Sequence, residues 1–181
     1  TGTIVSNESA DILRMFDTAF AELVPETPLL YPADLAADID ALNAEIYDSL
    51  NNGVYKAGFA STQAAYDEAV AGVFATLDRL EARLDGAFLF GDRFTETDIR
   101  LFVTLIRFDA AYHGLFKTNL RRIADYPRLQ AYMERVLRLP GVAEAVVSVQ
   151  SLADLTNTGT AAVVQFENVS FNQERLLPLS P

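Results

Sequence analysis

Two neighbouring side chains near the start of the sequence, Glu8 and Ser9, place a carboxylate beside a hydroxyl. Together with Ser6 and Asn7 they directly precede an apolar pattern that begins at Ile12 and is typical of a helix. Serine and asparagine side chains often accept hydrogen bonds from the first free N–H groups of a helix. From residue types alone, this polar segment is therefore interpreted first as a helix cap.

Aromatic side chains form a second group that could bind a ligand. Tyr55 and Phe59 are four positions apart, so they lie on one face of any helix that contains them. Tyr112, His113 and Phe116 form a similar group further along the chain. A buried phenol usually has a hydrogen-bond partner, so these residues fit either an aromatic layer of a helical core or the wall of a pocket. A lone histidine near a helix end is more often structural than an acid or a base.

Four basic residues stand close together in an otherwise acidic sequence, namely Lys56, Lys117, Arg121 and Arg122. Positive charge of this kind fits a site for an anionic ligand. It fits equally a solvated face whose charges pair with Asp125 or Glu134, where each ion pair contributes little to stability.

Several kinds of chemistry are excluded by residue types that the sequence lacks. None of the 181 residues is a cysteine, so the chain has no thiolate nucleophile and no disulfide. With one histidine and no cysteine, a zinc site is not expected. The sequence therefore predicts no metal, no cofactor and no catalytic residue within this chain.

The composition limits the class of partner. The 25 acidic and 14 basic residues give a formal net charge of −11, which repels phosphate backbones, so a nucleic acid is not an expected partner. Half of the residues are hydrophobic, which is enough for a sizeable core. No apolar run approaches the roughly 18 to 20 residues that cross a bilayer. The sequence therefore predicts a soluble or peripheral chain, and leaves open whether it is cytoplasmic or organellar.

The elements that position these side chains are predicted to be helices. Apolar residues recur at spacings of three and four over residues 34–50, 62–84, 98–111, 119–124 and 127–139. Asn51, Asn52 and Gly53 are expected to break or bend the first of these helices, because such residues tolerate left-handed backbone. Five to seven helices follow from this pattern, and the expected fold class is all-α.

The helix that starts near Asp98 is predicted to lie at the centre of the bundle. Thr95 and Asp98 have the spacing of a capping box, in which each side chain accepts a hydrogen bond from the other residue's N–H. We expect Asp98→Ala to cost about 1 kcal/mol through the loss of this box. The residues expected in the core around it are Phe94, Ile99, Phe102, Leu105 and Ile106.

The two ends of the sequence differ from its helical middle. Residues 1–5 have the composition of a short strand, and a proline-rich connector follows at residues 24–32. Residues 162–171 are rich in β-branched and aromatic side chains, which predicts an extended segment. A lone strand needs a partner for its backbone groups, so we expect this tail to dock on a protein partner or a larger complex. The alternative is that the tail folds back onto its own helices.

Four stretches, taken in order, resemble one known family. They are residues 4–15, which include Ser-Asn-Glu-Ser at 6–9; residues 46–60, which include Asn-Gly-Val-Tyr-Lys-Ala-Gly-Phe at 52–59; residues 90–102, which include Gly-Asp-Arg-Phe-Thr-Glu-Thr-Asp at 91–98; and residues 105–123. Together they resemble the glutathionyl-hydroquinone reductases, the xi-class glutathione transferases. After residue 145 the sequence no longer follows the family pattern. In the family this part includes a segment with a second active-site tyrosine, and no similar segment is found here.

The resemblance implies a glutathione-transferase C-terminal helical bundle, preceded by the remnant of a thioredoxin-like domain and followed by an extended tail. The corresponding boundaries are residues 1–10, 11–155 and 156–181. In this family a cysteine of the thioredoxin-like domain attacks the sulfur of a glutathionyl-hydroquinone, and a second glutathione releases the resulting mixed disulfide. Because this chain has no cysteine, we expect it to have no reductase activity by itself.

The resemblance also assigns roles to residues. Glu8 and Ser9 match the family pair that holds the amine and carboxylate of the γ-glutamyl group, so glutathione is implied as the ancestral cosubstrate. Tyr55 matches a tyrosine that faces the hydroquinone oxygen, and Phe59 and Tyr112 are further candidates for the substrate pocket. We expect a non-catalytic binding or structural subunit, because the chain lacks a cysteine, starts within a thioredoxin-like fold and has a different tail. The alternative is part of an active reductase whose cysteine-bearing half lies outside this chain.

Overall fold

A computed structural model describes residues 2–23 and 29–146, and within these ranges the chain is helical. The expected all-α class is confirmed for the described residues. The α-helices of the described residues are α1 Ser9–Ala19, α2 Ala36–Ile46, α3 Gly53–Gly58, α4 Gln63–Arg83, α5 Glu96–Arg107, α6 His113–Leu115 and α7 Pro127–Leu137. Short 3-10 turns lie at Ala21–Leu23 and Ile123–Asp125, and residues 142–146 form a further helical turn.

The longest helix, α4, forms where the apolar pattern predicts it. The side chain of Thr62 caps it by accepting a hydrogen bond from the N–H of Ala65 (3.2 Å). Val73, Leu77 and Leu80 on its inner stripe are almost fully buried, and they face the core shared with α3 and α7. This burial holds the helix in place, because most of the stability of a helix in a protein comes from packing of its apolar face.

The central helix is α5, which packs on α2 and α7. Its capping box is present, with Thr95 and Asp98 in the predicted roles. Of the residues expected in the core, Phe102 and Leu105 are buried, and Phe94 and Ile106 are partly buried against them. The prediction is wrong for Ile99, which is only half-buried. Its side of α5 faces a surface cleft and not the bundle core.

The predicted break at residues 51–53 is a widened helical turn. A π-helical turn at Tyr47–Asn51 follows α2 directly, and α3 then continues from Gly53. Asn52 keeps right-handed helical angles (φ −81°, ψ −28°). The glycine serves packing here, because a Cβ at Gly53 would lie 2.9 Å from Cγ2 of Val73 on α4. A second π-helical turn, Phe108–Tyr112, extends α5 in the same way.

Two predicted local structures are absent from the described residues. Residues 2–5 form no strand, and Ile4 and Val5 are exposed, because no neighbouring strand is present to take their backbone hydrogen bonds. The helix expected at residues 119–124 is only the 3-10 turn Ile123–Asp125. There the carboxylate of Asp109 accepts hydrogen bonds from the N–H groups of Ile123 (2.6 Å) and Ala124 (3.3 Å), which fixes a turn in place of a helix.

The tail predicted to dock on a partner, residues 156–181, lies outside the described residues, as does most of the proline-rich connector. None of the described helices is both long and apolar enough to cross a membrane.

Candidate functional site

A surface cleft of about 510 Å³ lies beside the N-terminus of α1, and we call it the α1 cleft. Its lining brings together residues of α1, α2, the first π-helical turn and α5, namely Glu8, Ser9, Ala10, Leu13, Asn43, Tyr47, Asn51, Ile99, Arg100 and Val103. Glu8 is the N-cap residue, yet its side chain makes no capping hydrogen bond. The N–H of Glu8 is satisfied by Ser6 Oγ (3.1 Å). Ser6 therefore bonds to the residue before the helix and does not cap the helix itself, so the cap interpretation is wrong, and the side chains of Glu8 and Ser9 line the cleft.

A buried carboxylate, Glu96, connects the elements around the α1 cleft. Its side chain is fully buried and accepts hydrogen bonds from Nη2 of Arg14 (2.8 Å), Nδ2 of Asn43 (2.7 Å) and Nη2 of Arg100 (3.2 Å). A buried charge is tolerated only when it is paired and hydrogen-bonded. Glu96 therefore joins α1, α2 and α5 through a single group.

Arg14 anchors α1 to the rest of the bundle. Its guanidinium also donates to Asp40 (2.6 Å) and lies 3.8 Å from the centre of the Tyr31 ring. The hydrogen bond to Glu96 raises the pKa of Arg14, and the Arg14 guanidinium in turn lowers the pKa of the Asp40 carboxyl. The geometry of the Glu8–Ser9 end of α1 is therefore set by contacts one to two turns further along the helix.

Sequence reasoning did not identify Arg14, Asn43, Glu96 or Arg100 as members of a site. Arg14 and Glu96 are 82 positions apart, and neither belongs to a short motif that predicts their contact. The only local signal was the position of Glu96 next to Thr95 inside the capping box. That position is commonly acidic because of the helix dipole, so it did not indicate a buried ion pair.

The aromatic residues singled out in the sequence do come together, in a cluster of Tyr55, Phe59, Tyr112 and Phe116. The rings of Tyr55 and Tyr112 are 5.7 Å apart, and both contact Phe116 at 5.3 and 5.4 Å. The hydroxyl groups of Tyr55 and Tyr112 lie 3.3 Å apart, within hydrogen-bond distance. We call this group the aromatic cluster.

The aromatic cluster has a buried side and an exposed side. Tyr112 is 6% exposed and belongs to the core, whereas Tyr55 is 46% exposed and Phe59 is 75% exposed. Burial, followed by the hydrogen bond with Tyr55, raises the pKa of the Tyr112 phenol, so this group stays protonated at neutral pH. The cluster thus offers a pair of phenol hydroxyl groups and a large open aromatic surface. This geometry fits a pocket wall better than a closed core layer.

His113 and the basic residues are less suited to chemistry. Burial lowers the pKa of His113, which favours the neutral imidazole. Lys56 pairs with Asp48 (2.6 Å) and Arg121 pairs with Asp78 (2.7 Å). These partners differ from the Asp125 and Glu134 that we expected, but the pairing agrees with the interpretation as a solvated face. Among the described residues no cluster of three or more His, Asp or Glu could hold a metal ion.

Gly58 allows the aromatic cluster to close. A Cβ at this position would lie 2.7 Å from Cδ1 of Phe116 and nearer still to Cγ, so the ring would have to move. We expect Gly58→Ala to lower the free energy of unfolding by about 1 to 2 kcal/mol, because overpacking outweighs the better helix propensity of alanine. Urea denaturation of the full chain measures this difference.

Gly72→Ala is the matched control for that measurement. Gly72 lies within α4, and a Cβ there would meet no atom within 4 Å. This change should be neutral or stabilising by up to about 1 kcal/mol. Equal effects at Gly58 and Gly72 would show that Phe116 does not occupy the position described.

Comparison with known proteins agrees with the fold and finds relatives that are reductases. Residues 63–135 match the family "Glutathione S-transferase, C-terminal domain". The glutathionyl-hydroquinone reductase YqjG of Escherichia coli is 53% identical over 145 residues, which is 80% of this chain and 44% of that protein. The glutathionyl-hydroquinone reductase PcpF of Sphingobium chlorophenolicum is 51% identical over 144 residues, 79% of this chain and 46% of that protein.

Solved structures give the same result. The glutathione-bound structure of YqjG matches with a TM-score of 0.79 and 42% identity, over 99% of this chain and 56% of that one. Glutathione transferase Xi 1 of Trametes versicolor matches with a TM-score of 0.78 and 39% identity, over 99% of this chain and 60% of that one. The chain thus spans less than half the length of the two reductases and little more than half of the solved chains.

Our expectation of a non-catalytic binding or structural subunit is wrong. The two relatives above are enzymes, and they match four-fifths of this chain at more than 50% identity. The lack of a cysteine in this chain does not exclude the reductase class, because more than half of each relative lies outside the aligned part, where a thiolate can lie. The helical domain described here is the C-terminal domain of the xi-class glutathione transferases, the family of the glutathionyl-hydroquinone reductases.

Proposed function

We propose that this chain forms the helical half of an active glutathionyl-hydroquinone reductase and that its aromatic cluster binds the hydroquinone. The observation that carries the proposal is the exposed surface of Tyr55 and Phe59, with the Tyr55 hydroxyl 3.3 Å from that of buried Tyr112. A hydroquinone is a flat ring with two hydroxyl groups. It can stack on the exposed rings while the Tyr55 phenol hydrogen-bonds to one of its oxygens.

The reaction assigns the thiol chemistry to a group outside this chain. A thiolate attacks the glutathionyl sulfur, the bond between that sulfur and the ring carbon breaks, and the ring carbon takes up a proton. A second glutathione then reduces the mixed disulfide and leaves as glutathione disulfide. The chain has no cysteine, so its own part is to bind and orient the substrate.

Glutathione would lie at the α1 cleft. Glu8 and Ser9 are the residues that the family pattern assigns to the γ-glutamyl group, and both line this cleft at the N-terminus of α1. A carboxylate suits the ammonium group of the ligand, and a hydroxyl at a helix N-terminus suits its carboxylate. The assignment of residues 1–10 to a thioredoxin-like domain, 11–155 to the helical domain and 156–181 to a tail belongs to the same proposal.

A chimera tests the proposal. The part of this chain that aligns with the E. coli reductase replaces the matching segment of that enzyme, whose remaining half is kept. We expect the chimera to release free hydroquinone from a glutathionyl-hydroquinone in the presence of glutathione. A folded chimera that binds glutathione but gives no turnover would contradict the proposal.

Tyr55→Phe in the chimera tests the role of the aromatic cluster. We expect kcat/KM for the glutathionyl-hydroquinone to fall about tenfold, because one hydrogen bond to the substrate is lost while the ring remains. Tyr66→Phe is the matched control, since its hydroxyl also donates a hydrogen bond, to the carbonyl of Lys117 (2.6 Å), outside the aromatic cluster. Equal kinetics for the two variants would remove Tyr55 from the substrate site.

A further inference from the structure

Three buried polar atoms at the α1 cleft have no hydrogen-bond partner: Oδ1 of Asn43, Oδ1 of Asn51 and Nε of Arg100. Buried polar groups in folded proteins are nearly always hydrogen-bonded, so each exception needs an explanation. In the described part of the chain, three other side chains have a buried polar atom without a partner, and none of them lines this cleft. They are Thr97, Thr118 and Gln130. The unpartnered atoms are therefore concentrated at one cleft.

Each of these three side chains is held by a hydrogen bond that fixes its unpartnered atom. Asn43 is only 6% exposed and donates its Nδ2 to Glu96 (2.7 Å). Asn51 donates its Nδ2 to the carbonyl of Arg100 (3.0 Å). Arg100 gives its Nη2 to Glu96 (3.2 Å), and 22% of its side chain remains exposed. These hydrogen bonds hold all three side chains at the lining of the cleft.

Donors and acceptors of the cleft form a mixed set. The acceptors are the carboxylate of Glu8 and the amide oxygens of Asn43 and Asn51, and the donors are Arg100 Nε and the hydroxyl of Ser9. A purely anionic ligand would be repelled by the acceptor oxygens, and a purely cationic ligand would be repelled by the charge of Arg100. An α-amino acid head group, with an ammonium beside a carboxylate, satisfies both kinds of partner.

We propose that Asn51 and Arg100 complete, from the helical domain, the site for the γ-glutamyl head group of glutathione. Arg100 donates to the α-carboxylate, and Asn51 accepts from the α-ammonium, opposite Glu8 and Ser9. This inference rests on the proposed function, because it takes glutathione as the ligand. It adds that the helical domain itself binds the γ-glutamyl head group and contributes to selectivity for glutathione.

The test is a binding titration of the full chain with three ligands, in which NMR measures the binding. These are glutathione, an analogue that lacks the α-carboxylate and an analogue that lacks the α-amine. We expect Arg100→Gln to raise the Kd of glutathione about tenfold and to leave the Kd of the analogue without the carboxylate unchanged. Asn51→Ala should raise the Kd of glutathione about threefold and leave the Kd of the analogue without the amine unchanged.

Arg107→Gln is the matched control, because Arg107 lies on the same helix and donates to the carbonyl of Val103, outside the cleft lining. It should change none of the three dissociation constants. Arg100 also supports Glu96, so if Arg100→Gln fails to fold, Asn51→Ala decides the result. Equal weakening for all three ligands, or no glutathione binding by the wild-type chain, would overturn this inference. Turnover by the chimera decides the proposed function separately.

Discussion

Asp98→Ala is expected to lower the free energy of unfolding by about 3 kcal/mol, which replaces the value of about 1 kcal/mol expected from the sequence for the loss of the helix cap alone. The side chain of Asp98 is fully buried and accepts four hydrogen bonds. Oδ2 accepts from the N–H (2.8 Å) and the hydroxyl (3.1 Å) of Thr95, and Oδ1 accepts from the N–H of Leu89 (3.1 Å) and the hydroxyl of Tyr132 (3.0 Å). Alanine leaves several of these buried donors without a partner.

Urea denaturation at neutral pH measures this loss of stability. Two further variants serve as comparisons. Asp98→Asn keeps an acceptor oxygen and should lose less stability than Asp98→Ala. Asp92→Ala, at an exposed aspartate of the preceding turn, should cost less than about 1 kcal/mol. A loss of about 1 kcal/mol for Asp98→Ala would mean that only the cap contributes and that the bonds to Leu89 and Tyr132 are not formed.

The pH dependence of Asp98 provides a second check with a definite sign. Burial raises the pKa of its carboxyl in the folded protein, although the hydrogen bonds oppose this shift. A raised folded pKa means that the folded state binds the proton more readily than the unfolded state. The wild type should therefore gain stability relative to Asp98→Asn as the pH falls through the folded pKa, and lose that gain as the pH rises through it. The opposite trend would contradict the buried environment described for Asp98.

Glu96→Ala is expected to be similarly destabilising, by about 3 kcal/mol. Breaking a buried ion pair leaves its partners uncompensated, and here Asn43 loses the acceptor for its buried amide. Arg14 retains Asp40 and is partly exposed, which moderates the cost. The loss should be concentrated at α1, because Arg14 is the ion-paired link between α1 and α5.

Glu68→Ala is the control for Glu96→Ala, since Glu68 is an exposed glutamate on α4. Its effect on unfolding should stay within about 0.5 kcal/mol. Hydrogen exchange of the folded variants adds a local readout, and we expect α1 amides to exchange faster in Glu96→Ala while α4 amides do not change. Unchanged α1 protection would show that Glu96 does not anchor this helix.

Local patterns predicted much of the fold. The apolar stripes of α4 and α5 and the Thr95–Asp98 capping box are visible within short windows of sequence, because they depend on neighbours three or four residues apart. The π-helical turns at Tyr47–Asn51 and Phe108–Tyr112 were not predicted. Periodicity cannot reveal them, since one widened turn changes the register without changing the residue types.

The candidate site was less accessible to sequence reasoning. Tyr55, Phe59 and Tyr112 were identified as a group, and the structure places them in one cluster. The predicted core position of Ile99 failed because the pattern shows that α5 is apolar nearly all round, but not which side meets a cleft. The contact of Glu96 with Arg14 depends on the tertiary fold, so no local sequence pattern predicts it.

A crystal structure of the chimera with a bound glutathionyl-hydroquinone would test the central claim most directly. We predict a hydroquinone oxygen about 2.6 to 3.0 Å from the hydroxyl of Tyr55, the ring against Phe59, and the γ-glutamyl group at Glu8 and Ser9. The claim would be contradicted by a hydroquinone bound away from the aromatic cluster, with Tyr55 in contact only with Tyr112.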